Sequence, residues 1–425
     1  MLADIKFGDF FKHKVLHFQN GFACGDWNDA GRGIVQLRPF NINENGEIDL
    51  AATKFIEPER DLTPYLLKEN DVVFNNTNSE ALVGKTALWT RDQRAVLSNH
   101  MTIVRVLSED GISPQFVAFY LLKKWMDGYF RQVCRRHVNQ ASVSIERLKD
   151  TPFPDFDVDE QRRIAHVLST LQTAIEQQAR LIALTHELKR ALMRKLFTEG
   201  LRGEKQKMTE IGLVPEGWEV VQLDACAVIQ TGIAKGRAIA DEEFLKLPYL
   251  RVANVQDGFL DLAEIKTIRI RAREGGRYLL RNGDVVLTEG GDFDKLGRGF
   301  IWQGQIENCI HQNHIFAVRV DPERLLPEFF AYQSQSPYGK RYFLSVAHKT
   351  SNLACINSAK LKRFPVLIPE LDEQGQITYV LQTVDERLSK HTRRYGLLED
   401  LFRTLLHQLM TGKVRIHELE LGSLE

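Results

Sequence analysis

From Asp159 onward, apolar residues return at alternating intervals of three and four: Ile164, Leu168, Leu171, Ile175, Ile182, Leu192 and Leu196. A step of 213 positions gives Ile377, Leu381, Val384, Leu388, Tyr395, Leu405 and Leu409, apolar at every rung. Such a ladder, kept over many turns, predicts two long helices whose apolar seams pair as a coiled coil. Gln178, Thr185 and Lys189 interrupt the first seam and His391 the second. Polar seam residues cost stability but can fix register. At about 1.5 Å per residue, a helix of about 40 residues spans roughly 60 Å. Two matched helices in one chain pair most simply antiparallel, which would put the parts they join at opposite ends.

Ahead of each ladder the period shortens to two. The runs 33–37, 71–74, 86–89 and 102–106 alternate like strands between Asn, Gly and Asp clusters. The runs 249–252, 284–287, 299–302 and 315–318 answer them in the second half. A shared helix is expected from Pro114 and again from Pro327, since proline in a first helical turn sacrifices no hydrogen bond.

These matches belong to a duplication. Asp71-Val72-Val73-Phe74 returns 213 residues on as Asp284-Val285-Val286-Leu287, Gly84 as Gly297, Trp89 as Trp302 and Glu160-Gln161 as Glu373-Gln374. Asn99-His100 and Asn313-His314 slip by one, as a loop insertion would cause. The expected fold is therefore α+β: two similar globular α/β domains separated by two long antiparallel coiled-coil helices, related as a pseudo-two-fold internal repeat. The expected limits are 1–155 and 208–370 for the domains, and 156–207 and 371–425 for the helical segments. The polar, glycine-bearing stretch 200–207 suits a domain junction.

Composition narrows the class. The 425 residues are 43% hydrophobic and 26% charged, as in an ordinary globular protein of two or more domains. No apolar run approaches the roughly 18 residues of a membrane span, and residues 1–7 lack a signal-peptide plan, so a cytoplasmic protein is expected. Cys24, Cys134, Cys226, Cys309 and Cys355 form no paired spacing and read as free thiols. Lys+Arg and Asp+Glu both number 56. Net neutrality weighs against a lone nucleic-acid binder, though not against one whose partners supply positive charge.

Catalytic patterns are missing. There is no P-loop, no three-glycine dinucleotide loop and no Asp/Asn-Pro-Pro-Phe/Tyr run of adenine methyltransferases. His311 and His314 stand three apart at the start of a strand, where their side chains diverge, so a structural Asn–His pair is preferred to a metal site. No metal and no cofactor is expected in this chain.

What remains is polar segments at matching points. Asn75, Asn76, Thr77 and Asn78, with Lys85, follow the first Asp-Val-Val strand; Thr288, Lys295 and Arg298 follow the second. Arg135, Arg136, Asn139 and Gln140 precede the first long helix, and Lys349, Thr350 and Asn352 the second. Such side chains suit base edges and phosphates. Equivalent frames with different loops would read different sequences.

These features resemble the specificity subunits of Type I restriction–modification systems. The pieces that carry the resemblance are Leu213–Leu223 (LVPEGWEVVQL), Asn282–Leu287, and Leu361–Pro369 running into Glu373-Gln374 and Ile377. The ending Leu405–Arg415 (LLHQLMTGKVR) is close to the family pattern, and Ala191–Gly200 echoes it. Residues 1–18 lack the Pro-Glu-Gly-Trp opening. The resemblance implies two target-recognition domains, each reading half of a split double-stranded DNA sequence, with the helices as spacer. It implies a non-catalytic subunit that recruits two modification subunits using S-adenosylmethionine to methylate adenine. Restriction subunits that use ATP and Mg can join them. The rival reading is a coiled-coil protein scaffold that never touches DNA.

Overall fold

The protein is described by a computed structural model covering residues 4–24, 26–57, 59, 61–234, 243–291, 296–349 and 354–418. It divides into two compact units, one of residues 1–179 with 393–425 and one of residues 180–392.

The first unit is organised by an antiparallel sheet of four strands in the order Leu16–Asn20, Met101–Val106, Asp71–Asn75, Thr86–Trp89. Every residue of the third strand is buried, because its two faces serve two cores. Val72 and Phe74 join Leu16, Phe18 and Val104 against the helix Pro114–Met126. Val73 instead joins Ala87, Trp89 and Ile103 against a smaller sheet ordered Lys54–Ile56, Ile34–Leu37, Ala95–Leu97. The period of two thus sends successive side chains into different cores.

The second unit repeats the plan with strands Ala227–Thr231, Ile315–Val320, Val285–Thr288 and Gly299–Ile301. Val285 and Leu287 face the helix Pro327–Gln335, whereas Val286 joins Trp302 and Ala317 in the other core. The sequence places a strand at 249–252. The structure runs it from Phe244 to Leu250 and closes it in a short 3-10 turn at Val252–Asn254.

Repeated residues make repeated bonds. Asp71 takes both Arg105 nitrogens at 2.6–2.7 Å, and Asp284 both Arg319 nitrogens at 2.7–2.8 Å. Both carboxylates are almost fully buried, and each also accepts a backbone N–H three residues earlier. Gln161 accepts from the Ser113 N–H and donates to the Phe156 carbonyl; Gln374 accepts from Leu326 and donates to Pro369. That latch explains the repeated Glu-Gln pair: it pins the first turn of each long helix to the helix of its own unit.

The long helices run Val158–Glu199 and Leu371–Met410. Burial follows the ladder. Ile164, Leu168, Ile175, Ile377, Leu381 and Val384 are buried, while Leu171, Ile182, Leu388 and Tyr395 are half-buried. In the first unit, Ile164, Leu168 and Ile175 share a core with Phe402, Leu406 and Leu409. The second unit packs Leu196 and Phe197 with Ile377 and Leu381, and Lys189 bridges to Asp385 at 2.6 Å. Within each unit, then, the start of one long helix shares a core with the end of the other. All five cysteines are free thiols; burial pushes Cys226 up to about 11 and Cys309 up to about 12. No helix of the described residues is long and apolar enough to cross a membrane.

Candidate nucleic-acid interface

The polar segments separate into a framing set and an exposed set. Asn75 is fully buried and donates to the Leu82 carbonyl at 3.0 Å. Asn76 donates to Thr102 at 2.9 Å, and the ammonium of Lys85 donates to the Ile42 carbonyl. Burial pushes Lys85 below the usual lysine range, and Glu44 offsets part of that. Thr288 is also fully buried, at the end of its strand. These four were expected on an open loop. They lie instead on or against a strand enclosed by two cores, where a polar side chain must find its partner inside the protein. Arg298 is half-buried and donates to Gln256 at 2.9 Å. It occupies the place of Lys85 in the repeat.

The exposed set forms a small sheet. Arg135–Arg136 pairs with Ala141–Ser142, which pairs in turn with Thr77–Asn78. The structure thereby brings Thr77 and Asn78 beside Arg135, Arg136, Asn139 and Gln140, although some 60 residues of chain separate them. The last four are exposed, on a turn closed by the His137 N–H to the Gln140 carbonyl at 2.7 Å. Arg136 pairs with Glu80 at 3.1 Å.

The second unit builds the same sheet in the same register from His348–Lys349, Ala354–Cys355 and Gly290–Gly291. Its cations differ in number, and the edge strand at the place of Thr77–Asn78 is all glycine. Lys349 is on the outer strand; Lys295, Thr350 and Asn352 lie outside the described residues. Nearby, His314 meets Glu289 at 2.6 Å, and His311 donates to the Ile315 carbonyl at 3.0 Å. Burial pushes the His311 imidazole down to about 4. The two histidines thus have separate partners, and no cluster suited to a metal ion occurs among the described residues.

One basic surface escaped the sequence reading. Phe244–Leu250 and Lys266–Arg271 form an antiparallel ribbon. It puts Lys246 opposite Arg269, whose guanidinium lies 3.6 Å from the Phe244 ring centre. The alternation of Lys266-Thr267-Ile268-Arg269-Ile270-Arg271 carried the signal. Pro248 in the partner strand obscured it, because proline argues against a strand interior.

A family model described as the Type I restriction modification DNA specificity domain matches residues 40–186 and 215–397. The chain is 23% identical to the putative type I restriction enzyme MjaX specificity subunit of Methanocaldococcus jannaschii, over 88% of this chain and 85% of that one. It is 24% identical to the StySPI specificity subunit of Salmonella potsdam, over 80% and 73%. Its fold is similar to the crystal structure of a Type-I restriction-modification S subunit from M. genitalium, with TM-score 0.58, 14% identity and 96% of both chains covered.

Proposed function

The chain belongs to the Type I restriction–modification DNA-specificity family, and from that premise we propose that it is the subunit that reads a two-part DNA target, one domain per half-site. In this reading residues 1–155 and 208–370 are the recognition domains, and 156–207 and 371–425 are antiparallel coiled-coil spacers. The chain itself catalyses nothing. It recruits two modification subunits that methylate adenine with S-adenosylmethionine, and restriction subunits that use ATP and Mg, in the cytoplasm.

The observation that carries this reading is the pair of small three-stranded sheets at equivalent points of two matched frames, alike in register and unlike in side chains. A frame fixed by buried pairs such as Asp71–Arg105 can hold a variable hairpin without refolding. Arg135, Arg136, Asn139 and Gln140 offer phosphate and base-edge donors in the first unit; in the second, Lys349 stands at the place of Arg136 in the strand register. Two readers working on one face of a duplex would meet half-sites about one helical turn apart, roughly 34–36 Å.

Methylome sequencing of cells expressing the chain with its modification subunits tests the reading. Exchanging residues 1–155 for those of another member of the family should change one half of the methylated motif and leave the other half and the gap as they were. A change in both halves, or a single undivided motif, would refute the assignment. A scaffold that avoids DNA would leave no motif that follows the exchange.

A further inference from the structure

The ribbon of the second unit has one face anchored and one face open. Its six cross-strand pairs run from Phe244 opposite Arg271 to Tyr249 opposite Lys266. Alternation puts Leu247, Ile268 and Ile270 on the inner face, where they pack with Ile233, Tyr249, Tyr278 and Ile310. Phe244, Lys246 and Arg269 share the outer face and are exposed. Directly opposed like charges destabilise a strand pair. Lys246 and Arg269 nevertheless face each other, and among the described residues neither makes an ion pair. Arg269 is exposed, and its guanidinium lies over a ring that is itself 47% exposed, so the cation stays at the surface.

The matching ribbon of the first unit also sets a cation on an exposed ring, Lys54 at 3.6 Å from the Trp27 ring centre, but it is shorter and its charge is paired. It has three cross-strand pairs, Ile34–Ile56 to Gln36–Lys54. Its one cation, Lys54, is paired with Asp29 at 2.7 Å, and beyond the paired stretch Arg32 meets Glu57 at 3.6 Å.

We propose that the outer face of the Phe244–Leu250/Lys266–Arg271 ribbon is a second DNA-contact element, special to this unit, in which Lys246 and Arg269 each neutralise a backbone phosphate of duplex DNA. The proposal rests on the reading that the chain binds DNA, and it adds where the second unit takes its electrostatic grip. Cross-strand neighbours lie about 5 Å apart, so the two cations can follow the backbone of a single strand. Each phosphate contact contributes about 0.9 to the slope of log affinity against log salt.

The test uses the full chain assembled with its modification subunits and a duplex bearing its methylated motif. Affinity is followed across salt concentrations. K246A/R269A should flatten the slope by about 1.8 and lower affinity most at low salt. K246R/R269K should keep the wild-type slope, and K54A should leave it unchanged. K246Q/R269Q repeats the measurement with side-chain length retained should the alanine pair fold poorly. A wild-type slope in both neutralised variants overturns the ribbon and leaves the DNA reading intact. Loss of the modification subunits from the complex at an unaltered slope would make the ribbon a protein-binding face and also overturn it. A wild-type complex with no salt-dependent DNA binding removes the parent reading, a result distinguishable from both.

Discussion

The two units share a frame and differ in what they mount on it. In the first, the outward cations stand on the hairpin Arg135–Gln140, and the ribbon at Lys54 is short and neutralised. In the second, one edge strand of the small sheet is Gly290–Gly291, and the ribbon is longer and carries Lys246 and Arg269. The shared parts are those whose partners are buried: Asp71 and Asp284, Gln161 and Gln374, Gly84 and Gly297. A buried polar group constrains its partner, because leaving either one alone is costly. A solvated cation constrains nothing nearby, so a duplicated chain can diverge there at little cost in stability.

The largest expected effect tests whether the buried ion pairs are equivalent. D71A strands Arg105, and D284A strands Arg319, whose side chain is twice as exposed, at 30% against 15%. Removing one partner of a buried pair costs about 3–5 kcal/mol. D71A should fall near the top of that range and D284A below it, as read by hydrogen exchange in the sheet of each unit. Equal losses would show that exposure of the arginine does not matter.

A difference between the cores gives the next effect. Leu250 pairs with His311 where Leu37 pairs with Leu97, so a histidine occupies a leucine site. Its folded pKa of about 4 lies below the ordinary 6.5. The fold holds the neutral ring, so proton uptake favours the unfolded chain. This contribution is complete above pH 6.5 and is lost as pH falls toward 4, on the order of 3 kcal/mol in all. H311L should remove that pH dependence from the second unit in thermal melts between pH 7 and 4, making it resemble the first. An unaltered acid profile in H311L would assign the sensitivity elsewhere.

The smallest effect should be the same in both units. Gly84 and Gly297 have φ of +95° and +65°, and a Cβ on either would come within 2.4 Å of a ring carbon of Phe130 or Phe343. G84A and G297A should each cost about 2 kcal/mol in denaturant titration, from overpacking and a left-handed backbone. A clear inequality would mean that the two rings differ in their freedom to move.

Much of the fold was legible because periodicity records burial. The 3/4 ladder falls wholly within the long helices Val158–Glu199 and Leu371–Met410, and the Asp-Val-Val runs mark the central strands. The candidate site was less legible. Asn75, Asn76, Lys85 and Thr288 are loop-like in composition, yet each sits on or against a buried strand, and polarity alone does not report whether a partner waits inside. The reverse held for Lys246 and Arg269, which are 23 positions apart and belong to one surface only because their two strands align in antiparallel register.

The sequence by itself determined the duplication, the helical ladders and the central strands, since each is written in spacing along one segment. Tertiary structure alone decided which polar residues are walls and which are surface. That choice depends on which distant segment lies across from each side chain, Ile42 for Lys85 or Phe244 for Arg269, and a desolvated group must be matched by a partner that local sequence does not name.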